Sequence, residues 1–136
     1  MTDERDTILV IDDEDHIRMV VEYNLNLEGF DVYSAENGSV GLEIARQEVP
    51  DVVLLDWMMP EMDGLEVLTE LKHDKRTAHI PVLMLTAKGM DADIDRASEL
   101  GADDYITKPF DPRSLGQTIR EKLQECIESE TGQIGR

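Results

Sequence analysis

Three short apolar runs, each followed at once by polar residues, constrain the fold of this sequence more than any other feature. The runs occupy residues 8–11, 52–55 and 82–85, and they lead into Asp12-Asp13, Asp56 and Thr86-Ala87 respectively. Continuous apolar runs of this length, bounded by turn residues, are typical of strands buried on both faces of a parallel sheet. Parallel strands bring their carboxyl ends to one edge, and open α/β sheets bind ligands there. The sequence therefore predicts a polar site at one edge of a buried sheet.

Amphipathic segments between these runs complete an alternating pattern of five strands and five helices. Residues 30–35 alternate apolar and polar side chains, which predicts an edge strand, and residues 105–107 predict a short fifth strand. Apolar side chains at helical spacing predict the buried faces of the first two helices: Ile17, Val20, Val21, Leu25 and Leu27, then Val40, Gly41, Ile44 and Ala45. Alternation at these lengths indicates right-handed βαβ crossovers, with helices on both faces of the sheet.

Helix-capping residues mark several of the predicted boundaries. Asn37 is a predicted N-cap, and Asp63 with Glu66 three residues later forms a predicted capping box. Asp111 is followed by proline, which predicts the start of the last helix at that point. Gly29 lies where a left-handed C-terminal cap of the first helix is expected. The pattern predicts a flexible N-terminus at residues 1–6, one domain at residues 7–127 and a disordered tail at residues 128–136.

The charge balance argues against several classes of partner. With 13 basic and 31 acidic residues the formal net charge is −18, which repels nucleic-acid phosphates and anionic membrane surfaces. The single cysteine, Cys126, cannot form an internal disulfide and fits a reducing compartment. The N-terminal residues are polar and acidic rather than signal-like, and no apolar run is long enough to span a bilayer. We therefore expect a cytoplasmic protein that binds neither nucleic acid nor membrane directly.

Three carboxylates are predicted to meet at the sheet edge. Taken singly, Asp12, Asp13 and Asp56 could each cap a helix or face water. At the ends of neighbouring strands they would repel one another unless a cation lay among them. Oxygen ligands with open positions suit Mg²⁺, which usually takes one or two carboxylates and keeps several waters. Asp56, at the tip of the central strand, is also the residue best placed to attack a phosphorus atom.

Lys108 and Thr86 would complete a site for a phosphoryl group. Lys108 follows the fifth strand and could act as a point charge on phosphoryl oxygens, and the Thr86 hydroxyl could donate to the same oxygens. Either residue alone would be read as an ordinary surface lysine or a strand-ending threonine. Their significance comes from their predicted place on the same edge as the aspartates.

These motifs together resemble the receiver domain of bacterial two-component response regulators, particularly the chemotaxis-regulator type. The resemblance covers about residues 7–127, and its landmarks occur in order. They are Asp12-Asp13, Asp56-Trp57-Met58-Met59-Pro60-Glu61-Met62-Asp63-Gly64, Thr86-Ala87, Gly101-Ala102-Asp103-Asp104-Tyr105 and Lys108-Pro109-Phe110. The resemblance implies a flavodoxin-like, doubly wound parallel sheet with strand order 2-1-3-4-5 and five helices. It also implies phosphorelay signalling, in which a sensor histidine kinase or phosphotransfer protein phosphorylates Asp56.

The resemblance further implies roles for individual residues. Mg²⁺, for which Mn²⁺ could substitute, would be held by Asp13, Asp56 and the backbone carbonyl of Met58, with Asp12 contributing through water. Lys108 would pair with the phosphoryl group. Thr86 would move toward the phosphoryl group and let Tyr105 turn inward, which changes the face of the fourth helix, fifth strand and fifth helix. Trp57, Met58 and Ala87 would be neighbours of the phosphoryl site, and an output protein would bind the altered face.

Three alternatives stay open at this stage. A phosphohydrolase of the haloacid-dehalogenase type also uses an aspartate nucleophile, but its second acid would fall at Met58. An inert binding module on the same fold would not need the full set of acids, threonine and lysine. A receiver domain cut from a longer DNA-binding or enzymatic regulator is the third alternative. Ser114 and Thr118 stand where dimerising DNA-binding regulators resemble one another in a glutamate and an arginine, which argues against that type of dimer. Because the polar tail after Ile127 leads into no second domain in this sequence, we expect a stand-alone receiver. We expect it to be a phosphorylated switch rather than an enzyme, and a monomer or a weak phosphorylation-dependent dimer.

Overall fold

A five-stranded parallel sheet forms the centre of the fold, in a computed structural model that describes residues 6–59, 62–87 and 91–134. The strand order is β2-β1-β3-β4-β5, as predicted. The strands are β1 (Thr7–Ile11), β2 (Asp31–Ala35), β3 (Val52–Asp56), β4 (Val82–Ala87) and β5 (Asp104–Lys108). The helices that alternate with them are α1 (Asp15–Leu27), α2 (Gly38–Glu48), α3 (Gly64–His73), α4 (Asp91–Glu99) and α5 (Pro112–Ile134).

Alternate residues of the buried strands feed two separate hydrophobic cores. Leu9 and Ile11 of β1 pack with residues of α2, α3 and α4, whereas Ile8 and Val10 pack on the opposite face with residues of α1 and α5. All five residues of β3 are buried, as expected for a central parallel strand covered on both faces. The edge strands β2 and β5 are mostly half-buried. The central strands are therefore fixed on both faces, and the edges are less tightly enclosed.

The predicted helix-capping interactions are confirmed. The Asn37 side chain accepts a hydrogen bond from the Val40 amide at 2.9 Å. Asp63 and Glu66 exchange side-chain to backbone hydrogen bonds of 3.0 and 3.1 Å, which is the reciprocal pattern of a capping box. At the start of α5, the carboxylate of Asp111 accepts from the Arg113 amide at 2.9 Å.

Two residues that were predicted to face the core are exposed instead. Leu27 is 69% exposed and Val40 is 37% exposed. The buried positions of α1 are Val21 and Leu25, and Leu27 lies two residues further on, about 200° around the helix. In α2 the buried positions follow a strict helical spacing that includes Leu42, and Val40 falls off that stripe.

The last helix extends further than the sequence pattern suggested. It runs to Ile134, so residues 128–134, which were predicted to be disordered, are helical. Once a helix is nucleated by packing, adding residues costs little, and the Glu-rich segment beyond residue 127 contains no proline. At the other terminus, the Asp6 carbonyl accepts from the Asp31 amide at 3.0 Å, and residues 1–5 lie outside the described part of the chain. Among the described residues, no helix is long and apolar enough to cross a bilayer.

The contrast between Leu54 and Leu27 gives a direct test of this architecture. Leu54 is fully buried in β3, so Leu54→Ala should lower the free energy of unfolding by about 2–5 kcal/mol through lost burial and a residual cavity. Leu27→Ala removes the same atoms from an exposed position and should stay within about 0.5 kcal/mol of the parent. Urea denaturation measures both values, and equal losses from the two substitutions would contradict the assigned burial.

Candidate functional site

The three predicted aspartates meet at the carboxyl ends of two paired strands. Asp12 directly follows β1, and Asp56 is the last residue of β3; both side chains are buried. Because Ile11 pairs with Leu55 in the sheet, the residues that follow these two lie side by side. Asp13, which is exposed, completes the group, and one carboxylate oxygen from each of the three lies within 4.8 Å of the others. The sequence therefore builds a compact oxygen cluster at the predicted edge.

Lys108 joins this cluster from the edge of the sheet. Its Nζ donates hydrogen bonds to Asp12 Oδ2 at 3.0 Å and to Asp56 Oδ1 at 3.2 Å. Lys108 is the last residue of β5 and pairs in register with Ala87 of β4, so its side chain reaches past the end of β4 to β3. The peptide bond between Lys108 and Pro109 is cis. The structure thus brings together the aspartates and the lysine that sequence reasoning had placed on one edge.

Sequence reasoning missed one residue of this network, Glu14. Its carboxylate accepts a hydrogen bond from Lys108 Nζ at 3.2 Å and is 59% exposed. Glu14 and Lys108 are also among the residues that line an apolar groove of about 400 Å³, together with Ile17, Val20 and Phe110. A signal was present in the sequence: the residue before α1 is a glutamate, which is not among the residue types that cap helices best.

Burial and charge repulsion make the ionised form of Asp56 unfavourable. Burial, together with the negative charge of Asp12, raises the pKa of Asp56 to about 7 from an ordinary value of 3.8. The charge and hydrogen bond of Lys108 act in the opposite direction but do not offset these effects. For Lys108, burial would lower the pKa, but the hydrogen bond to Asp12 and the charges of Asp56 and Asp12 outweigh it and raise the pKa. One lysine is therefore too little positive charge for this group of carboxylates.

The donor set fits a hard divalent cation. Carboxylate oxygens within 4.8 Å of one another are close to the separation of about 4 Å expected for two ligands on opposite sides of Mg²⁺. Asp13 is exposed, which leaves room for the waters that Mg²⁺ retains. A bound cation would also relieve the repulsion that raises the pKa of Asp56.

Thr86 and Tyr105 occupy different surroundings. Thr86 is buried near the end of β4, one residue beyond Leu85, which pairs with Asp56 across the sheet. Tyr105 in β5 is half-buried, and its hydroxyl donates to the carbonyl of Ile94 at 2.9 Å and contacts the hydroxyl of Ser98. Thr86 thus lies beside the carboxylate cluster, whereas the Tyr105 hydroxyl is hydrogen-bonded to α4.

The loop after β3 is held by close backbone packing. The Trp57 amide donates to the Leu85 carbonyl at 3.2 Å, and the Gly64 amide donates to the Trp57 carbonyl at 2.8 Å. A Cβ atom at Gly64 would lie 2.5 Å from the Asp56 carbonyl and 2.8 Å from Trp57 Cα. Gly64 is required here because of this close approach, which fixes the loop directly behind Asp56.

The remaining predicted neighbours of the site differ in burial. Trp57 is 6% exposed and lies in the core cluster, whereas the Met58 side chain is 68% exposed. Ala87 ends β4, and its side chain lies outside the described part of the structure. Residues 60–61 and 88–90, which continue the two loops around the site, are also outside it.

The family model for the response regulator receiver domain matches residues 8–120. The chain belongs to this family. It is 44% identical over 117 residues to the alkaline phosphatase synthesis transcriptional regulatory protein PhoP of Bacillus subtilis (strain 168), covering 86% of this chain and 48% of that protein. It is 45% identical over 117 residues to the DNA-binding dual master transcriptional regulator RpaA of Synechocystis, again covering 86% and 48%. The receiver chain spans about half the length of these curated relatives.

Solved structures give the same assignment. The chemotaxis protein CheY4 of Vibrio cholerae superposes with a TM-score of 0.83 at 29% identity, covering 87% of this chain and 98% of that one. NtrX from Brucella abortus superposes with a TM-score of 0.87 at 30% identity, covering 98% of this chain but 30% of that one. The predicted flavodoxin-like fold and the receiver family are therefore confirmed, and the chain is a receiver domain of two-component signalling.

The raised pKa of Asp56 predicts a cost in stability for the receiver. Because the folded-state pKa lies above the ordinary value of 3.8, ionised Asp56 destabilises the fold, and this cost grows as pH rises from about 4 through about 7. In the presence of chelator, Asp56→Asn should therefore raise the Tm at pH 8 by on the order of 5 °C, and the difference should shrink toward pH 4.

Asp74→Asn is the control with the opposite sign. Hydrogen bonds from Arg76 lower the pKa of Asp74, so its ionised form favours the fold and its loss should lower the Tm at pH 8. Differential scanning calorimetry across this pH range measures both variants. Equal Tm values for the parent and Asp56→Asn at pH 8 would contradict the raised pKa.

Gly64 gives a second test of how the site is held. Gly64→Ala should displace the loop behind Asp56, weaken Mg²⁺ binding and lower the free energy of unfolding by about 1–3 kcal/mol. Gly116→Ala is the matched control, since the three atoms nearest to its Cβ all belong to the Glu28 side chain, whose displacement would disturb the contact with Arg120 but none of the carboxylates of the cluster. Mg²⁺ titration followed by fluorescence of Trp57, the single tryptophan, reports the affinity. Parental Mg²⁺ affinity in Gly64→Ala would show that the close approach does not position the site.

Proposed function

We propose that this receiver accepts a phosphoryl group on Asp56, in a Mg²⁺-dependent transfer from a sensor histidine kinase or a histidine phosphotransfer protein. The observation that carries the proposal is the arrangement of Asp56 at the tip of the central strand, within an aspartate cluster and 3.2 Å from Lys108. A nucleophile, a set of cation ligands and a fixed positive charge converge on one point. That combination suits phosphoryl transfer better than hydrolysis of another class of substrate.

The transfer is a displacement at phosphorus. A carboxylate oxygen of Asp56 attacks the phosphorus atom, an oxygen–phosphorus bond forms, and the bond to the donor's leaving group breaks. When the donor is a phosphohistidine, the bonding electrons return to the imidazole nitrogen. Mg²⁺, when bound, neutralises charge on the phosphoryl oxygens. Asp13, Asp56 and the carbonyl of Met58 would hold it, with Asp12 acting through water.

Lys108 and Thr86 would stabilise the product. The Lys108 ammonium already donates to Asp56, so it is close enough to donate to oxygens of a phosphoryl group carried there. Thr86 is buried beside β3, and its hydroxyl would approach the same oxygens. Trp57, Met58 and Ala87 would border the phosphoryl group, with the exposed Met58 side chain on its solvent side.

Tyr105 would transmit the change to the surface formed by α4, β5 and α5. Its hydroxyl bonds to Ile94 and Ser98 connect β5 to α4, so an inward turn of the ring would exchange these bonds and alter the contact between the two elements. The phosphoryl group shifts such an equilibrium only because it binds one of the two states better. An output protein would bind the altered surface.

Two forms of output are compatible with this mechanism. Similarity to transcriptional regulators that are about twice as long favours a receiver joined to an output domain. The other form is a stand-alone cytoplasmic receiver that signals by binding a separate protein and is not an enzyme for external substrates. Ser114 and Thr118 have uncharged side chains, so these two positions supply no charged pair for a dimer. We place the receiver domain at residues 7–127 and expect a monomer or a weak phosphorylation-dependent dimer.

Intact mass after incubation with acetyl phosphate tests the proposed chemistry. With Mg²⁺, the parent should gain one phosphoryl group, and Asp56→Asn should gain none because the nucleophilic oxygen is replaced by an amide nitrogen. Chelator should prevent the gain in the parent. Equal phosphorylation of both proteins would show that another residue is the acceptor. No gain in a folded, Mg²⁺-bound parent would contradict acceptance from a small-molecule donor.

A further inference from the structure

Glu14 occupies the N-cap position of α1 without capping the helix. Its side chain makes no hydrogen bond to the helix, although its backbone has the extended conformation usual for this position (φ −91°, ψ 114°). Ser, Thr, Asp and Asn are preferred there because their short side chains reach the free amides. Glu14 instead extends its carboxylate to Lys108, which lies 94 residues away in sequence. Glu14 therefore leaves α1 without a side-chain cap, which lowers the stability of the helix, and makes a contact at the proposed phosphoryl site instead.

With the contact to Glu14, all three hydrogen-bond donors of the Lys108 ammonium group are in use. An ammonium group has three N–H donors, and Lys108 directs hydrogen bonds to Asp12, Asp56 and Glu14 at 3.0, 3.2 and 3.2 Å. Of these three acceptors, Asp12 and Asp56 are buried, whereas the Glu14 carboxylate is 59% exposed. Once Asp56 carries the phosphoryl group, the hydrogen bond from Lys108 to Asp56 can pass to a phosphoryl oxygen. A second phosphoryl oxygen can receive a hydrogen bond from Lys108 only if Asp12 or Glu14 gives up its own. The exposed Glu14 loses least on release, because water can solvate it.

We propose that Glu14 is a positioning residue that holds Lys108 before phosphorylation and competes with the phosphoryl group for it. This proposal rests on the proposed phosphorylation of Asp56. The Glu14 carboxylate draws the ammonium toward α1 and adds negative charge beside an incoming phosphoryl group. It therefore slows acceptance and shortens the lifetime of the aspartyl phosphate, relative to a receiver without this contact.

Three substitutions separate the contact from the overall charge. Glu14→Gln removes the charge at the contact. Glu14→Asp keeps the charge, but its side chain is shorter by one carbon–carbon bond of about 1.5 Å and no longer reaches Lys108. Glu36→Gln makes the same charge change at an exposed residue that directly follows β2 at the same edge of the sheet. Urea denaturation of each variant checks the fold.

The measurements are the initial rate of phosphorylation by acetyl phosphate at saturating Mg²⁺ and the lifetime of the phosphorylated protein after the donor is removed. Glu14→Gln and Glu14→Asp should both accept the phosphoryl group about 2–5-fold faster and keep it about 2–5-fold longer, as expected for loss of a partly exposed charge pair. Glu36→Gln should match the parent within about 1.5-fold on both measures. A damaged site would be slower, so a gain in rate cannot come from misfolding.

Several results would overturn this role. If Glu14→Asp behaves like the parent while Glu14→Gln accepts the phosphoryl group faster, the effect comes from the charge of Glu14 and not from its contact with Lys108. Equal effects of Glu14→Gln and Glu36→Gln would lead to the same conclusion. Slower acceptance by both Glu14 variants would show that the contact assists the transfer. A parent that takes up no phosphoryl group removes the proposed function and this proposal together, which distinguishes that outcome from the others.

Discussion

The site depends on two buried carboxylates, Asp12 and Asp56, that share a single lysine. Buried charges are costly unless they are paired and hydrogen-bonded, and here the pairing is incomplete, because burial and mutual repulsion still raise the pKa of Asp56 to about 7. Removal of Lys108 would leave the two acids unpaired in the interior. The surrounding fold therefore keeps Asp12 and Asp56 together despite their mutual repulsion. Such unfavourable arrangements are common at functional sites.

The fold supplies this constraint through the rigidity of its centre. β1 and β3 are covered on both faces and paired in register, so the residues at their carboxyl ends have little freedom to separate. Gly64 packs directly against the backbone of Asp56, and this close contact further restricts the position of Asp56. Charge, register and close packing act at the same few residues. The fold itself consequently keeps the two acids together, and Lys108 is their common hydrogen-bond partner.

Most of this arrangement is predictable from sequence because it follows from local patterns. The apolar runs identify the buried strands, and residues such as Asn37 and Asp63 mark helix starts through hydrogen bonds within a few residues. Parallel topology then brings the predicted acids, Thr86 and Lys108 to one edge. What the sequence pattern missed depends on tertiary geometry. Leu27 has the right residue type but the wrong angle around its helix, and the contact of Glu14 joins residues far apart in sequence.

The position of β5 at the edge of the sheet has a consequence for how such a domain can diversify. Asp56, the proposed phosphoryl acceptor, belongs to the fully buried β3, whereas Tyr105 and Lys108 belong to a half-buried strand that is hydrogen-bonded to β4 on its inner side. An outer strand can shift, or change its exposed side chains, without breaking a ladder on its other side. Substitutions at exposed positions of β5 can therefore alter its outer surface while Asp12 and Asp56 keep their places on β1 and β3. A change of exposed side chains on this strand can accordingly change what the surface recognises without displacing the buried carboxylates.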